Sequence, residues 1–397
     1  MEDKKLKGDL GEEFVNNLAY KTFLKFWCYP NPKDEEGDKK EICDLLICFK
    51  DVLIIFSVKN WEFKGNYDKY HRKTIKKAVR QIYGAERKLF NIHRKIFIKH
   101  PDKEKEEFQS NNYKKIHRCI INLGEGVEFS TSGEFTKKGK FIHIFNKDFE
   151  VLMQELDTIP DLITYLEARE NLLIGGEKVH ILGSEKDLLA PFLKNARSFP
   201  PEFHKECDTL FLDVDGAWDE YDKDEKIGLK RMENKISYFI DEFVKDNLTK
   251  PNTKDIAEEW MSLTRLERRM LTKMFFDLVS NSYKKKENSL LFNRRYVPHN
   301  DTGFLFIYYS PNTKEKFIDP LMELATLGTA LYRNYKESKI LVIATTTAKL
   351  ADFKIGCYKV KQLEKEHEEK ILNQVRSLGW FKNLKIGRYD EKEYPDE

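Results

Sequence analysis

Two charged residues stand where charge is costly. Asp44 falls inside the apolar run EICDLLICF (41–49), and Lys59 closes the apolar run VLIIFSVK (52–59). Both runs have the length and β-branched content of strands, and only Lys50-Asp51 separates them. A tight β-hairpin buried on both faces is therefore expected. A charge inside a buried strand costs several kcal/mol unless it is paired or bound to a metal. An acid and a lysine at facing positions of one hairpin need an explanation, and the residues alone leave it open. A buried Asp44–Lys59 pair would suffice, as would a Lys59 that snorkels to the end of its strand.

The elements that must position these two residues are legible around them. Residues 9–25 place Leu10, Phe14, Val15 and Leu18 at helical spacing. A turn-rich stretch, YPNPKDEEGDKK, leads into the hairpin. Helical periodicity returns over 68–92 through Ile75, Val79, Ile82, Tyr83, Leu89 and Phe90, and after the charged loop PDKEKEEFQSNN a further strand follows at 115–124. The order is helix, strand, strand, helix, strand. Beyond it come a strand FIHIF, helices over 147–173, a strand KVHILG and a helix over 185–194. NARSFPPEFHKE has paired prolines and no apolar periodicity, which marks 196–206 as the expected linker. After it, TLFLDV, helices over 225–282, strands near 289–310, a helix over 316–335, the strand KILVIAT and a final helix predict a second, helix-rich α/β domain at 207–397.

The segments GDLGEEFVNNL and EICDLLICFKDVLIIFSVKNW together resemble the PD-(D/E)XK nuclease superfamily. The likeness is nearest the group of NERD domains, Mrr-type restriction enzymes and Holliday-junction resolvases. It covers roughly residues 8–123. It implies a restriction-endonuclease-like mixed sheet with flanking helices in the order α-β-β-β-α-β. The residues here agree if one short strand is allowed around 61–67. The first domain is thereby expected over 1–195, with a C-terminal extension.

Carried over by resemblance, Asp44 is the central ligand of a Mg²⁺ or Mn²⁺ ion, and Lys59 orients or deprotonates the attacking water and offsets phosphate charge. Glu12 completes the metal site. It lies at the edge of the helix's apolar face, whereas Glu13 points nearly away from that face. Gln81 stands beside Ala78 and Ala85 where related nucleases have a Gln or Lys that touches the active site, although an ordinary surface glutamine would fit equally well. The chemistry implied is metal-assisted attack of water on a phosphodiester. Ser57 departs from the pattern, because it replaces the acid of acid-x-Lys and a neutral hydroxyl is a weak ligand for a hard cation. Three alternatives follow. The charge comes from Glu62, Glu13 or Glu41; the site uses one metal; or the chain is an inactive, nucleic-acid-binding or scaffold protein.

Charge distribution points to the same kind of partner. Net charge is only +3, but Lys59–Arg118 holds 18 Lys and Arg against 7 Asp and Glu. Arg72, Lys73, Lys76, Lys77 and Arg80 on one predicted helix could track a phosphate backbone without reading sequence, with DNA expected rather than RNA. A solvated lysine-rich face would give the same composition. Cutting both strands of a duplex needs two sites, so a homodimer is expected. Analogy with free-standing nucleases that carry an extra domain suggests prokaryotic defence as the setting.

No run approaches the roughly 18 apolar residues of a membrane span, and MEDKKLKGDL has no apolar stretch of signal-peptide type. A soluble, cytoplasmic protein is expected. The six cysteines (28, 43, 48, 119, 207, 357) contain no CxxC pair and the nine histidines no HxxxH pair, so neither disulfides nor a structural zinc site is expected. LFLDVDGAW resembles the DxDG loop of haloacid-dehalogenase phosphatases through Asp213 and Asp215. The acidic pair expected downstream is missing, with only Asp352 close by, and Asp and Gly are ordinary at the end of a strand.

Overall fold

VLIIFSVK, without glycine or proline and buried along its whole length, forms the strand around which the N-terminal unit is built. A computed structural model describes residues 11, 13–17, 27–91, 94–125, 132–135, 139–174, 178–204, 209–248, 250–283, 292–346, 353–382 and 385–395. Two compact units divide between Leu229 and Lys230.

In the first unit, β1 (Cys28–Pro30), β2 (Leu45–Phe49), β3 (Val52–Lys59), β6 (Lys115–Asn122), β7 (Ser132–Phe135) and β8 (Phe141–Phe145) make one mixed sheet in the order β1-β2-β3-β6-β8-β7. The hairpin closes as expected, with Phe49 opposite Val52 and Lys50 in the left-handed region at φ 48°. β3, β6 and β8 run parallel, and the outer pairs are antiparallel. The third strand of the first group is β1, ahead of the hairpin. The expected strand around 61–67 is not formed, since 60–64 carry no regular structure.

The helix expected over 68–92 is two helices, α1 (Tyr67–Lys73) and α2 (Ile75–Phe90). They part at Thr74, whose buried hydroxyl donates to the Tyr70 carbonyl at 2.8 Å while its backbone leaves helical geometry. The loop 101–112 contains half of a small hairpin, β4 (Phe97–Lys99) with β5 (Lys105–Glu107). α2 covers one face of the sheet, where Ile75, Ala78, Ile82, Ala85 and Leu89 meet Leu46, Cys48, Leu53, Ile55, Ile120 and Ile142. Over the other face lie α3 (Phe149–Glu155) and α4 (Ile159–Ile174), through Phe56 against Phe149 and Arg169 against His143.

The stretch 196–206 does not separate domains. β9 (Lys178–Leu182), followed by α5 (Glu185–Lys194), pairs in parallel with β10 (Thr209–Asp213) across it. Residues 207–229 therefore belong to the first unit, because backbone pairing holds them there. The second unit has a mixed sheet of β11 (Phe292–His299), β12 (Thr302–Tyr309), β13 (Lys339–Thr345) and β14 (Lys354–Lys359) in sequence order. Its helices include Tyr238–Asn247, Arg265–Tyr283 and Ile318–Tyr332. Trp260, Phe275, Phe304 and Phe306 pack as an aromatic cluster there. The chain is mixed α/β in both units, and among the described residues no helix is long and apolar enough to cross a membrane.

α2 is clamped to the sheet by charge as well as by apolar contact. Arg118 grips Glu86 with Nε and Nη2, each at 3.0 Å, and Lys140 donates to the same carboxylate. Burial alone would raise the Glu86 carboxyl. The hydrogen bonds from Arg118 and Lys140 outweigh burial and hold it below the ordinary range. Glu86→Gln should cost about 3 kcal/mol at pH 7 in urea unfolding, because Arg118 is left buried without its counter-charge. A carboxyl depressed in the folded state stabilises above its unfolded value and loses that contribution as pH falls. The gap between wild type and variant should thus narrow below about pH 4.3.

Candidate functional site

Asp44 lies one residue before β2, not inside it. Past the Leu45–Phe56 pair, its carboxylate Oδ2 accepts the Val58 backbone N–H, taking a place that a strand carbonyl would otherwise fill. The same oxygen lies 3.6 Å from Lys59 Nζ. Lys59 Nζ also donates to Ser57 Oγ at 2.9 Å and to the Val58 carbonyl at 2.6 Å. Ser57 Oγ in turn donates to Oε1 of Gln81 at 3.3 Å. Four residues singled out in the sequence thus meet from the hairpin and α2. Asp44, Ser57 and Lys59 are buried, and Gln81 sits exposed at the mouth.

The far end of β3 is walled by residues that the sequence patterns do not single out. Asn122 stands in register with Lys59, is buried, and donates to the Tyr70 hydroxyl, while its Oδ1 has no partner among the described residues. The signal was available: a polar side chain ending an apolar parallel strand. Beyond the strands, 59–63 and 122–125 continue side by side, with Leu123 N on Lys59 O at 2.7 Å and Phe63 N on Glu125 O at 2.8 Å. Gly124 permits this, since a Cβ there would fall 1.7 Å from the Trp61 carbonyl oxygen. Trp61 carries Lys73 over its ring at 4.6 Å, which brings the basic end of α1 beside the strand end.

Gly11 is buried beside Asn60, where an added Cβ would lie 3.2 Å from the Asn60 Cβ. The described part of the N-terminal helical segment, residues 11 and 13–17, therefore lies with Gly11 next to the residue after Lys59. Glu12 lies outside the described residues. Glu13 is exposed, Glu62 is exposed and pairs with Lys64 at 3.6 Å, and Glu41 is exposed where its backbone forms an isolated β-bridge with that of Lys33. Arg72, Lys76, Lys77 and Arg80 are exposed along α1 and α2, and Lys73 is half-buried. Arg80 also lines a cavity of about 290 Å³ with Tyr83, Glu86, Arg87 and Lys140.

The donors at this site are all oxygens: the Asp44 carboxylate, the Ser57 hydroxyl and the Gln81 amide. That chemistry fits a hard cation, which takes one or two carboxylates and completes its shell with water and substrate phosphate. Asp213 and Asp215 form an exposed turn after β10, with Asp215 N on Asp213 Oδ1 at 3.3 Å and Gly216 at φ 78°. The buried cysteines 28, 43, 48 and 119 are free thiols in the core, and Cys207 lies outside the described residues. On the opposite face of the sheet, His117, His143 and Glu170 converge from three elements, which no local spacing announced. Burial holds His117 neutral, its pKa lowered to about 4, and likewise pushes His143 well below the ordinary histidine value. No protein-family model, curated protein or solved structure matches the chain.

A buried pair of this kind has a measurable signature. Asp44→Ala and Lys59→Met should each cost about 3 kcal/mol, because each strands the other's charge in the core. The double variant should cost less than the sum by at least about 1 kcal/mol in a double-mutant cycle. Strict additivity would mean that the two side chains do not interact.

Proposed function

We propose that the N-terminal unit is a Mg²⁺- or Mn²⁺-dependent phosphodiesterase of the restriction-endonuclease type, acting on nucleic acid and on DNA first. The observation that carries this reading is the meeting of Asp44, Ser57, Lys59 and Gln81 at the end of β3. Further support comes from the element order, with β1, β2 and β3 preceding the helices and β6, and from Gly11 beside Asn60. The exposed basic residues of α1 and α2 provide a sequence-independent grip on phosphates.

In this reading Asp44 would hold the cation, with Glu12 as the carboxylate carried over by resemblance. The bound ion would supply Lewis-acid polarisation of the phosphoryl oxygen and a lowered pKa for water. Lys59 orients the attacking water and offsets phosphate charge. Asp44 and Ser57 aim its ammonium, and Gln81 meets the substrate at the mouth. Ser57 leaves the site one carboxylate short of the family pattern, so the reading favours a single ion. A homodimer would present two such sites to a duplex.

The test is cleavage of supercoiled plasmid and of single-stranded DNA with Mg²⁺ or Mn²⁺. Asp44→Asn keeps an oxygen for the Val58 amide while the charge is removed. Wild type should cut, and Asp44→Asn and Lys59→Ala should each lose at least about 100-fold in rate. Cutting that survives in Asp44→Asn rejects the assignment. Binding without cutting by wild type on either substrate replaces it with the nucleic-acid-binding reading.

Binding itself has an independent check. Replacing Lys76, Lys77 and Arg80 with Gln should reduce the slope of log K against log salt by up to about 3, roughly one for each phosphate no longer neutralised. An unchanged slope would mean that this face does not touch the backbone.

A further inference from the structure

The sheet's second face carries three groups whose chemistry is unspent. His117 projects from β6, His143 from β8 and Glu170 from α4. Nδ1 of His117 and Nε2 of His143 each lie 3.8 Å from the same carboxylate oxygen of Glu170, and one donor atom from each residue falls within 4.8 Å of the other two. His117 is 5% exposed and His143 fully buried. Neither nitrogen of His117, nor Nε2 of His143, has a hydrogen-bond partner among the described residues. Buried polar atoms are paired in the great majority of cases. Two of these ring nitrogens, His117 Nδ1 and His143 Nε2, face one carboxylate, an arrangement that a divalent cation completes.

We propose that His117 Nδ1, His143 Nε2 and Glu170 form a binding site for a first-row divalent cation of the Zn²⁺ class, separate from the site at Asp44. Tetrahedral ligation at about 2.0–2.2 Å puts donor atoms about 3.3 Å apart, so the carboxylate contacts need only close by about half an ångström. Glu170 is half-exposed at the end of a flexible side chain and supplies most of that movement. The rings are held by packing: His143 stacks parallel to Phe145 and meets Phe141 edge-on. Two imidazoles and a carboxylate suit Zn²⁺, Co²⁺ or Ni²⁺ and discriminate against Mg²⁺, which prefers oxygen alone. Three protein ligands leave a fourth position for water.

Arg169 fixes the tautomer of the metal-free His143 ring. Its Nη1 lies 3.2 Å from Nδ1 of that ring, and a guanidinium can only donate. In the metal-free ring Nδ1 is therefore the acceptor and Nε2 carries the proton; ligation at Nε2 moves that proton to Nδ1 and displaces the Nη1 contact. The Arg169 charge is already matched by Glu185, which accepts from Nε at 2.8 Å and from Nη2 at 3.0 Å. A cation next to His143 thus faces a neutralised guanidinium.

The experiment uses the full chain, stripped with a chelator, in the Asp44→Asn background so that the site at β3 does not contribute. Co²⁺ serves as an optical probe and Zn²⁺ as its competitor. One Co²⁺ per chain should bind, with visible d–d absorption that Zn²⁺ abolishes, and Zn²⁺ should raise the Tm. Glu170→Gln, which alters a half-exposed carboxylate without changing shape, should weaken binding by at least about 100-fold, the upper end of the loss seen for outer-shell partners. It should also remove the Tm rise. His117→Gln should do the same, and if that variant does not fold, Glu170→Gln decides alone. Binding weaker than roughly 1 mM, or binding unchanged in Glu170→Gln, overturns the proposal.

Discussion

The Val58 amide is the point on which the site at the end of β3 turns. β2 and β3 pair in order as far as Leu45 and Phe56, and beyond them the Val58 N–H meets the Asp44 carboxylate rather than a backbone carbonyl. A side chain standing in for a strand residue is fixed as firmly as the strand itself. That bond sets the carboxylate 3.6 Å from Lys59 Nζ, and the ammonium is then drawn back onto Ser57 Oγ and the Val58 carbonyl. An ionised carboxylate has about four lone-pair sites, so the amide and the ammonium leave it capacity for a further partner. Removing the amide hydrogen bond would free Asp44, and with it the orientation of Lys59.

The second requirement is that α2 arrive at a fixed height above this strand end, since Gln81 reaches Ser57 from it. Apolar contact with Leu53, Ile55 and Ile120 supplies the attraction but tolerates sliding. The fork between Arg118 and Glu86 does not, because two hydrogen bonds of 3.0 Å fix both position and rotation. The break at Thr74 separates the two tasks of what reads as one periodic segment. α2 packs on the sheet, while α1 turns its basic end over Trp61.

What could be read from the sequence was what local chemistry decides. The hairpin follows from two β-branched runs and a two-residue turn, and the meeting of Asp44 with Lys59 follows from the hairpin. Elements that exist only through distant pairing were not legible. β1 is three residues ending in Pro30, tolerable at a sheet edge and invisible without its partner. Lys105–Glu107 is a strand of charged residues, defined by β4 alone. The paired prolines near 200 signal a turn correctly, but β9 and β10 hold the chain together across it. That Asp44 sits outside β2 by one residue is likewise decided by pairing. His117, His143 and Glu170 come from three elements, so the short spacings that betray most metal sites never occur.

β6 ties the two faces together. Its alternate residues Arg118, Ile120 and Asn122 point towards α2, and His117, Cys119 and Ile121 point the other way. A one-residue slip would exchange every one of them, and hydrophobicity alone resists that weakly, because both faces of the strand are apolar and buried. The polar residues discriminate more strongly. In the slipped register Arg118 would leave Glu86 with Lys140 alone and carry a second guanidinium to the face that already buries Arg169, while His117 would arrive among the aliphatic side chains of α2. Like charges in a dry interior repel far more than in water. The charged clamp that seats α2 therefore also fixes the register on which both the Asp44–Lys59 site and the histidine cluster depend.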